Sequence, residues 1–146
     1  MKSLLPRTIS SSLFLFCFSA NAHWMLVEGE SSLSFVSTKN QHISEIHQFR
    51  RLQGEFSPEG KLQIKIDLAS IDSGIEIRDT RMQEKLFVVD KFPAANLTAQ
   101  LPDSVLTLAK GSSIAITLPA ELSIMGISKT IKVTAQVTRK ADNGIV

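Results

Sequence analysis

Between Lys61 and Leu68 the chain alternates without a fault, with Leu62, Ile64, Ile66 and Leu68 apolar and Lys61, Gln63, Lys65 and Asp67 polar. A period of two belongs to a β-strand, whose successive side chains point to opposite faces, so this segment has one face to bury and one to wet. Thr130 to Thr138 repeats the pattern, with Ile131, Val133, Ala135 and Val137 set against Lys132, Thr134, Gln136 and Thr138. Ile114, Ile116 and Leu118 form a third row, and Leu97, Ala99 and Leu101 a weaker fourth. Turn-forming segments separate the rows: Pro58-Glu59-Gly60, Ala109-Lys110-Gly111-Ser112 and Met125-Gly126-Ile127-Ser128. The pattern predicts an all-β antiparallel meander. One-faced strands must close on themselves or stack on a second sheet, and short turns that keep successive strands adjacent favour closure. Helical spacing is confined to the stretch from Arg78 to Val89, where Met82 and Leu86 sit four apart. Asp79 is placed to begin its first turn and Phe92-Pro93 to end it.

Residues 1–22 have the form of a cleavable export signal. Lys2 and Arg7 give a positive start, Ile9 to Phe18 is mostly apolar, and Ala20-Asn21-Ala22 is a small-residue cleavage site. Cleavage after Ala22 is predicted, leaving residues 23–146 as one domain in the periplasm or secreted. The apolar run falls short of the about 20 residues that a spanning helix needs, so no membrane anchor is expected to remain. Cys17, the only cysteine, lies within the signal and lacks the small residues before it that lipoprotein acylation requires. The domain is thus expected to depend on its hydrophobic core, without a disulfide. Cleavage removes two of the 16 basic side chains and none of the 14 acidic ones, for a formal net charge of zero. Nucleic-acid binding needs clustered positive charge, and no basic stripe is present.

An eight-stranded barrel is just wide enough to be filled by its own side chains or to hold one small ligand. Phe35, Phe49, Phe56, Phe87 and Phe92 are candidates to line a channel with the inward aliphatics Ile64, Ile66, Ile116 and Val133, while Ala99 and Ala135 leave space. Glu45, His47 and Phe49 share one parity on a predicted strand, so all three point to the same side. A buried carboxylate beside an imidazole can hydrogen-bond a phenol, quinone or phosphate head; alternatively the strand is bulged or exposed and both groups are solvated. Arg78, Asp79 and Arg81 follow the Ser70 to Gly74 turn. Two guanidinium groups suit an anionic head group, whereas a structural role has Asp79 capping the helix and Arg78 clamping Asp67 or Asp72. Asp72 and Ser73 read as turn formers. His23, His42 and His47 give no metal signature, since His42 and His47 have opposite strand parity. No Gly-x-Ser-x-Gly elbow or phosphate loop is present, and no serine has an identifiable base.

Asp67-Leu68-Ala69-Ser70-Ile71-Asp72-Ser73-Gly74, then Arg78-Asp79, then Leu86-Phe87-Val88-Val89-Asp90-Lys91-Phe92-Pro93 resemble in order and spacing the YceI-like family. The resemblance extends back to Trp24, Ser32 to Phe35 and Phe49 to Phe56, and forward to Ala120 to Lys129. It implies an extended, lipocalin-like antiparallel β-barrel that holds a polyisoprenoid lipid or isoprenoid quinone in its interior, commonly in the periplasm. Family members run a few tens of residues beyond the position matched by Gly144-Ile145-Val146, so the resemblance implies a barrel incomplete at its C-terminal end. Glu45-Ile46-His47 departs from the family, many of whose members carry an apolar residue and glycine before the phenylalanine matched to Phe49. The expected function is non-enzymatic lipid or quinone binding, with no required cofactor, by a monomer or homodimer. The alternatives are a structural or stress-related periplasmic protein with a filled core, and an enzyme acting on isoprenoid heads with His47 and Glu45 as acid and base.

Overall fold

The structure, a computed structural model, describes residues 24–39, 43–141 and 144–146. The predicted signal peptide, His23 and His42 lie outside them. Each alternating row of the sequence becomes a strand. The longest are β8 (Ser113–Ile124) and β9 (Ile127–Thr138), paired antiparallel along their whole length from Ser113 opposite Thr138 to Ile124 opposite Ile127. A two-residue turn joins them, with Met125 at φ 50° and Gly126 at φ 77°. Left-handed backbone at both positions matches the twist of a tight hairpin, and glycine supplies one of them without steric cost.

The remaining strands are β1 (Trp24–Leu26), β2 (Leu33–Lys39), β3 (Ile43–Phe49), β4 (Leu52–Phe56), β5 (Lys61–Asp67), β6 (Ile71–Asp72), β7 (Ala94–Gln100) and β10 (Gly144–Ile145). Seven strands form a curled sheet in the order β10-β1-β4-β5-β7-β8-β9, and β2-β3-β6 form a smaller one. Closure, expected from the short turns, is achieved at one end only. There β10 runs parallel to β1, pairing Met25 with Gly144 and Leu26 with Ile145. On its other side Ile145 bridges Arg139, and Thr138 and Val146 exchange backbone hydrogen bonds of 2.8 and 3.0 Å. Among the described residues nothing pairs with the outer edge of β9 from Ile127 to Val137. The barrel is open along that edge.

The core divides into two neighbouring clusters. Phe49, Leu52, Ile66, Leu68, Ile71, Phe87, Ala95, Leu97 and Ala120 fill one end, and Phe56, Leu101, Val105, Val137 and Ile145 the other. At the joined end Trp24 stacks on Phe56 at 5.5 Å, and the Arg139 guanidinium lies 4.1 Å from the Trp24 ring centre. This cation over an aromatic face, with Arg139 Nη1 donating to Leu108 O at 2.6 Å, ties the tail of β9 to β1.

The helical segment differs from the expected Arg78 to Val89. It begins as α1 (Glu76–Arg81), with the Ile75 carbonyl accepting from both Arg78 and Asp79, and continues as a π-helical turn over Met82–Phe87. It ends at Val88, whose left-handed φ of 50° breaks the helix before Phe92-Pro93 is reached. A π turn spaces side chains five apart. Met82 and Phe87 therefore face the core together, and Leu86, the expected partner of Met82, is left half exposed. A second helix, α2 (Asp103–Leu106), was not expected from the sequence; its buried Val105 plugs the joined end.

Gly60 and Gly111 both have left-handed φ, of 82° and 78°. A Cβ at Gly60 would meet the Leu101 carbonyl oxygen at 2.9 Å, whereas one at Gly111 meets nothing within 4 Å. Gly111→Ala is therefore expected to cost about 1 to 2 kcal/mol, the penalty of left-handed backbone alone, and Gly60→Ala distinctly more. Urea denaturation of the two variants checks the order.

Candidate functional site

The inner rows of the curled sheet do not meet across the barrel. They enclose a cavity of about 900 Å³, at the upper end of the usual range for small-molecule sites. Its wall includes Leu62, Ile64 and Ile66 of β5, Leu97 and Ala99 of β7, Ile116, Leu118 and Leu122 of β8, and Ile131, Val133, Ala135 and Val137 of β9. A core filled by its own side chains, the alternative drawn from the sequence, would leave no space of this size. Such a lining offers apolar burial and few hydrogen bonds, so the cavity suits a hydrocarbon chain.

Seven of the nine residues proposed from sequence to meet a ligand line the cavity: Phe35, Phe49, Ile64, Ile66, Phe87, Ile116 and Val133. Three of these rings form a chain at one end, with Phe35 to Phe49 at 5.7 Å and Phe49 to Phe87 at 5.6 Å. Phe56 also lines the space, while Phe92 does not and instead has the Lys91 ammonium 5.4 Å from its ring. Leu26, Leu33 and Leu52 belong to the wall and were not singled out. They sit on short strands whose parity shows only once Phe35, Phe49 and Phe56 are placed.

Glu45 and His47 do share the face of Phe49, but neither lines the cavity. His47 is only 3 % exposed, lies 5.1 Å from the Phe35 ring, and shares a 2.8 Å hydrogen bond between its Nε2 and Ser37 Oγ. Glu45 Oε1 accepts from Arg78 Nη1 at 2.5 Å. The strand is not bulged at this point, and it splits the two groups: His47 is buried, whereas the Glu45 side chain keeps 44 % of its surface exposed. Arg78 reaches across from the helical segment and supplies the countercharge of this half-exposed carboxylate.

Arg78 also donates from Nε to Ser73 Oγ at 2.8 Å and from Nη2 to Ser73 O at 2.6 Å. Asp79 Oδ1 accepts from the Ser73 amide at 2.8 Å. Neither residue does what the sequence suggested in detail. Arg78 clamps Ser73 and Glu45, because Asp67 and Asp72 are taken by Arg51 and Arg50, and Asp79 caps the preceding turn rather than its own helix. Arg81 is exposed, and none of Arg78, Asp79 and Arg81 borders the cavity. Asp72 Oδ1 accepts from the Gly74 amide at 2.8 Å, the turn-forming role expected of it. That bond, and then the Arg50 guanidinium, hold its carboxyl below the ordinary value of 3.8.

The sequence of residues 24–145 matches the YceI-like domain. Among solved structures, a polyisoprenoid-binding domain from Saccharophagus degradans, implicated in plant cell wall breakdown, is 31% identical with a TM-score of 0.66, over 83% of this chain and 70% of that one. BcnA of Burkholderia cenocepacia is 22% identical with a TM-score of 0.46, over 73% of this chain and 64% of that one. The Campylobacter jejuni YCEI protein is 16% identical with a TM-score of 0.40, over 98% of this chain and 74% of that one. None of the functionally curated proteins matches this chain.

Asp79→Ala leaves the Ser73 amide without its acceptor and is expected to cost about 1 kcal/mol. Thermal melts should show the same loss with and without a bound ligand, since Asp79 lies off the cavity wall. Because the folded-state pKa of Asp72 is lowered, its stabilisation is complete above 3.8 and is lost as pH falls from there through the depressed value. The stability difference between the wild type and Asp72→Asn, measured by denaturation across pH 2 to 7, should therefore be constant near neutrality and shrink below about pH 4.

Proposed function

Because the chain belongs to the YceI-like family, we propose that it is an exported, non-enzymatic carrier that holds one amphiphilic polyisoprenoid, a lipid or an isoprenoid quinone, inside the open barrel. The observation that carries this reading is the cavity of about 900 Å³ walled by inward aliphatic rows. Each CH₂ moved from water into such a wall contributes about 0.8 kcal/mol without asking for a polar partner, so a linear hydrocarbon gains affinity with length. The Saccharophagus domain, described as polyisoprenoid-binding, supports the same ligand class at 31% identity. The form of residues 1–22 supports export to the periplasm or beyond, and binding there serves transport, storage or stress protection.

An enzymatic role for Glu45 and His47 finds no support in their placement. A general acid or base must come within hydrogen-bond reach of the reacting group. Here Glu45 is engaged by Arg78, and His47 lies outside the cavity wall.

Native mass spectrometry of the protein purified from lysate without detergent, followed by denaturing extraction, tests the proposal. A bound isoprenoid at one per chain is expected; a clean unliganded mass that takes up no added long-chain prenol or quinone would reject it. Ala99→Phe should fill part of the space and weaken uptake at least about tenfold, at a stability cost of about 1 to 3 kcal/mol. Circular dichroism on the same sample separates lost binding from lost fold.

A further inference from the structure

The polar residues that border the cavity are not scattered. Apart from Glu55 they fall into two groups: Lys132, Thr134 and Gln136 on β9, and Glu30, Ser31, Ser32 and Ser34 at and before the start of β2. Both groups break the rule of alternation. Lys132, Thr134 and Gln136 belong to the outward row of β9, where Thr134 Oγ1 shares a 3.0 Å hydrogen bond with Thr117 Oγ1, yet along the strand edge these residues border the same space as the inward Ile131, Val133 and Ala135. Likewise Ser32 and Ser34 border it together with Leu33 and Phe35. Both faces of a strand can touch one cavity only where the strand presents its edge to it. β9 pairs only with β8 from Ile127 to Val137, and β2 only with β3, so each has an unpaired edge among the described residues. Two unpaired edges that border one cavity leave a slot in the side of the barrel, which each edge lines with backbone N–H and C=O groups.

The slot has donors to spare. Ser31 Oγ is buried with no hydrogen-bond partner, and the Glu30 carboxylate is engaged by Lys140 Nζ at 2.5 Å. Among the described residues Lys132 is the one cationic residue that borders the cavity, at the exposed edge of β9, and it has no ion pair among them. The aromatic end, by contrast, is sealed by Phe35, Phe49 and Phe87, and the joined end by Phe56, Val105 and Ile145.

We infer that the side slot between β9 and the Glu30–Ser34 segment holds the head group of the bound amphiphile, which bears hydrogen-bond-accepting oxygens, while the tail lies in the apolar interior. The inference rests on the carrier reading and adds the orientation of the ligand to it. An oxygen-rich head is common to a prenyl phosphate and a prenylated quinone, and the Lys132 ammonium serves either, the phosphate more strongly.

The test uses the full folded chain and three probes: a polyprenyl phosphate and a prenylated benzoquinone, each with a photoreactive diazirine beside the head, and squalene as a hydrocarbon without a head. Head-attached labels should map to residues 30–34 and 130–136; labels on residues 45–49 or 76–87 would overturn the slot as the head-group site. Lys132→Ala should weaken the phosphate about tenfold, the quinone less, and squalene not at all. An equal loss for squalene would mean that Lys132 acts on the fold, and would also overturn the assignment. Failure of all three probes to bind would remove the carrier reading itself, whereas squalene binding with heads labelled elsewhere would remove only the slot. The phosphate and quinone arms identify which head the slot prefers.

Discussion

Two residues hold the sheet in its curl. Gly144 and Ile145 touch β1 on one side and the tail of β9 on the other, so β1 and β9 are linked through a strand of minimal length. That link brings the two ends of the curled sheet together over its inner aliphatic rows. The link is reinforced by side chains rather than by more backbone: Ile145 is buried with Phe56, Leu101, Val105 and Val137, and Arg139 lies over Trp24. Hydrophobic burial at one end thus maintains an unfilled space in the middle. Such a space forfeits contacts that a packed core would make, so a ligand that fills it stabilises the folded state by mass action as well as being carried by it.

The charged turn serves the same architecture from the opposite end. Ser73 is its hub, giving its amide to Asp79 and its hydroxyl and carbonyl to Arg78, while Arg78 reaches on to Glu45 of β3. Three elements, the turn, the helical segment and the small sheet, are thereby fastened through Ser73 and Arg78. Their fastening fixes where Phe87 enters the cavity beside Phe49. The polar cluster shapes the wall without joining it.

The strands were legible because a period of two needs nothing beyond neighbouring residues to be recognised, and Ile64, Ile66, Ile116 and Val133 took the inward positions that their rows required. The shared face of Glu45, His47 and Phe49 was legible for the same reason. Their surroundings were not. Glu45 meets Arg78 across 33 residues of sequence, and nothing local chooses that cation over others nearby. Asp67 and Asp72 were named as partners for Arg78, but they pair with Arg51 and Arg50, a choice set by where β4 and β5 bring the turn. The slot was hidden more deeply. Lys132, Thr134 and Gln136 read as an outward, wet row, and they border the cavity only because β9 has an unpaired edge, a property of topology rather than of periodicity.

The π-helical turn makes one residue of chain length decide which side chain closes the aromatic end. With five-residue spacing Phe87 stands under Met82 and Leu86 is turned toward the rim. Deleting a single residue between Met82 and Phe87 would return the segment to ordinary α-helical spacing and slide a different ring or branched side chain into the wall. The depth of that end of the cavity therefore depends on a single residue of chain length in the helical segment and on no strand.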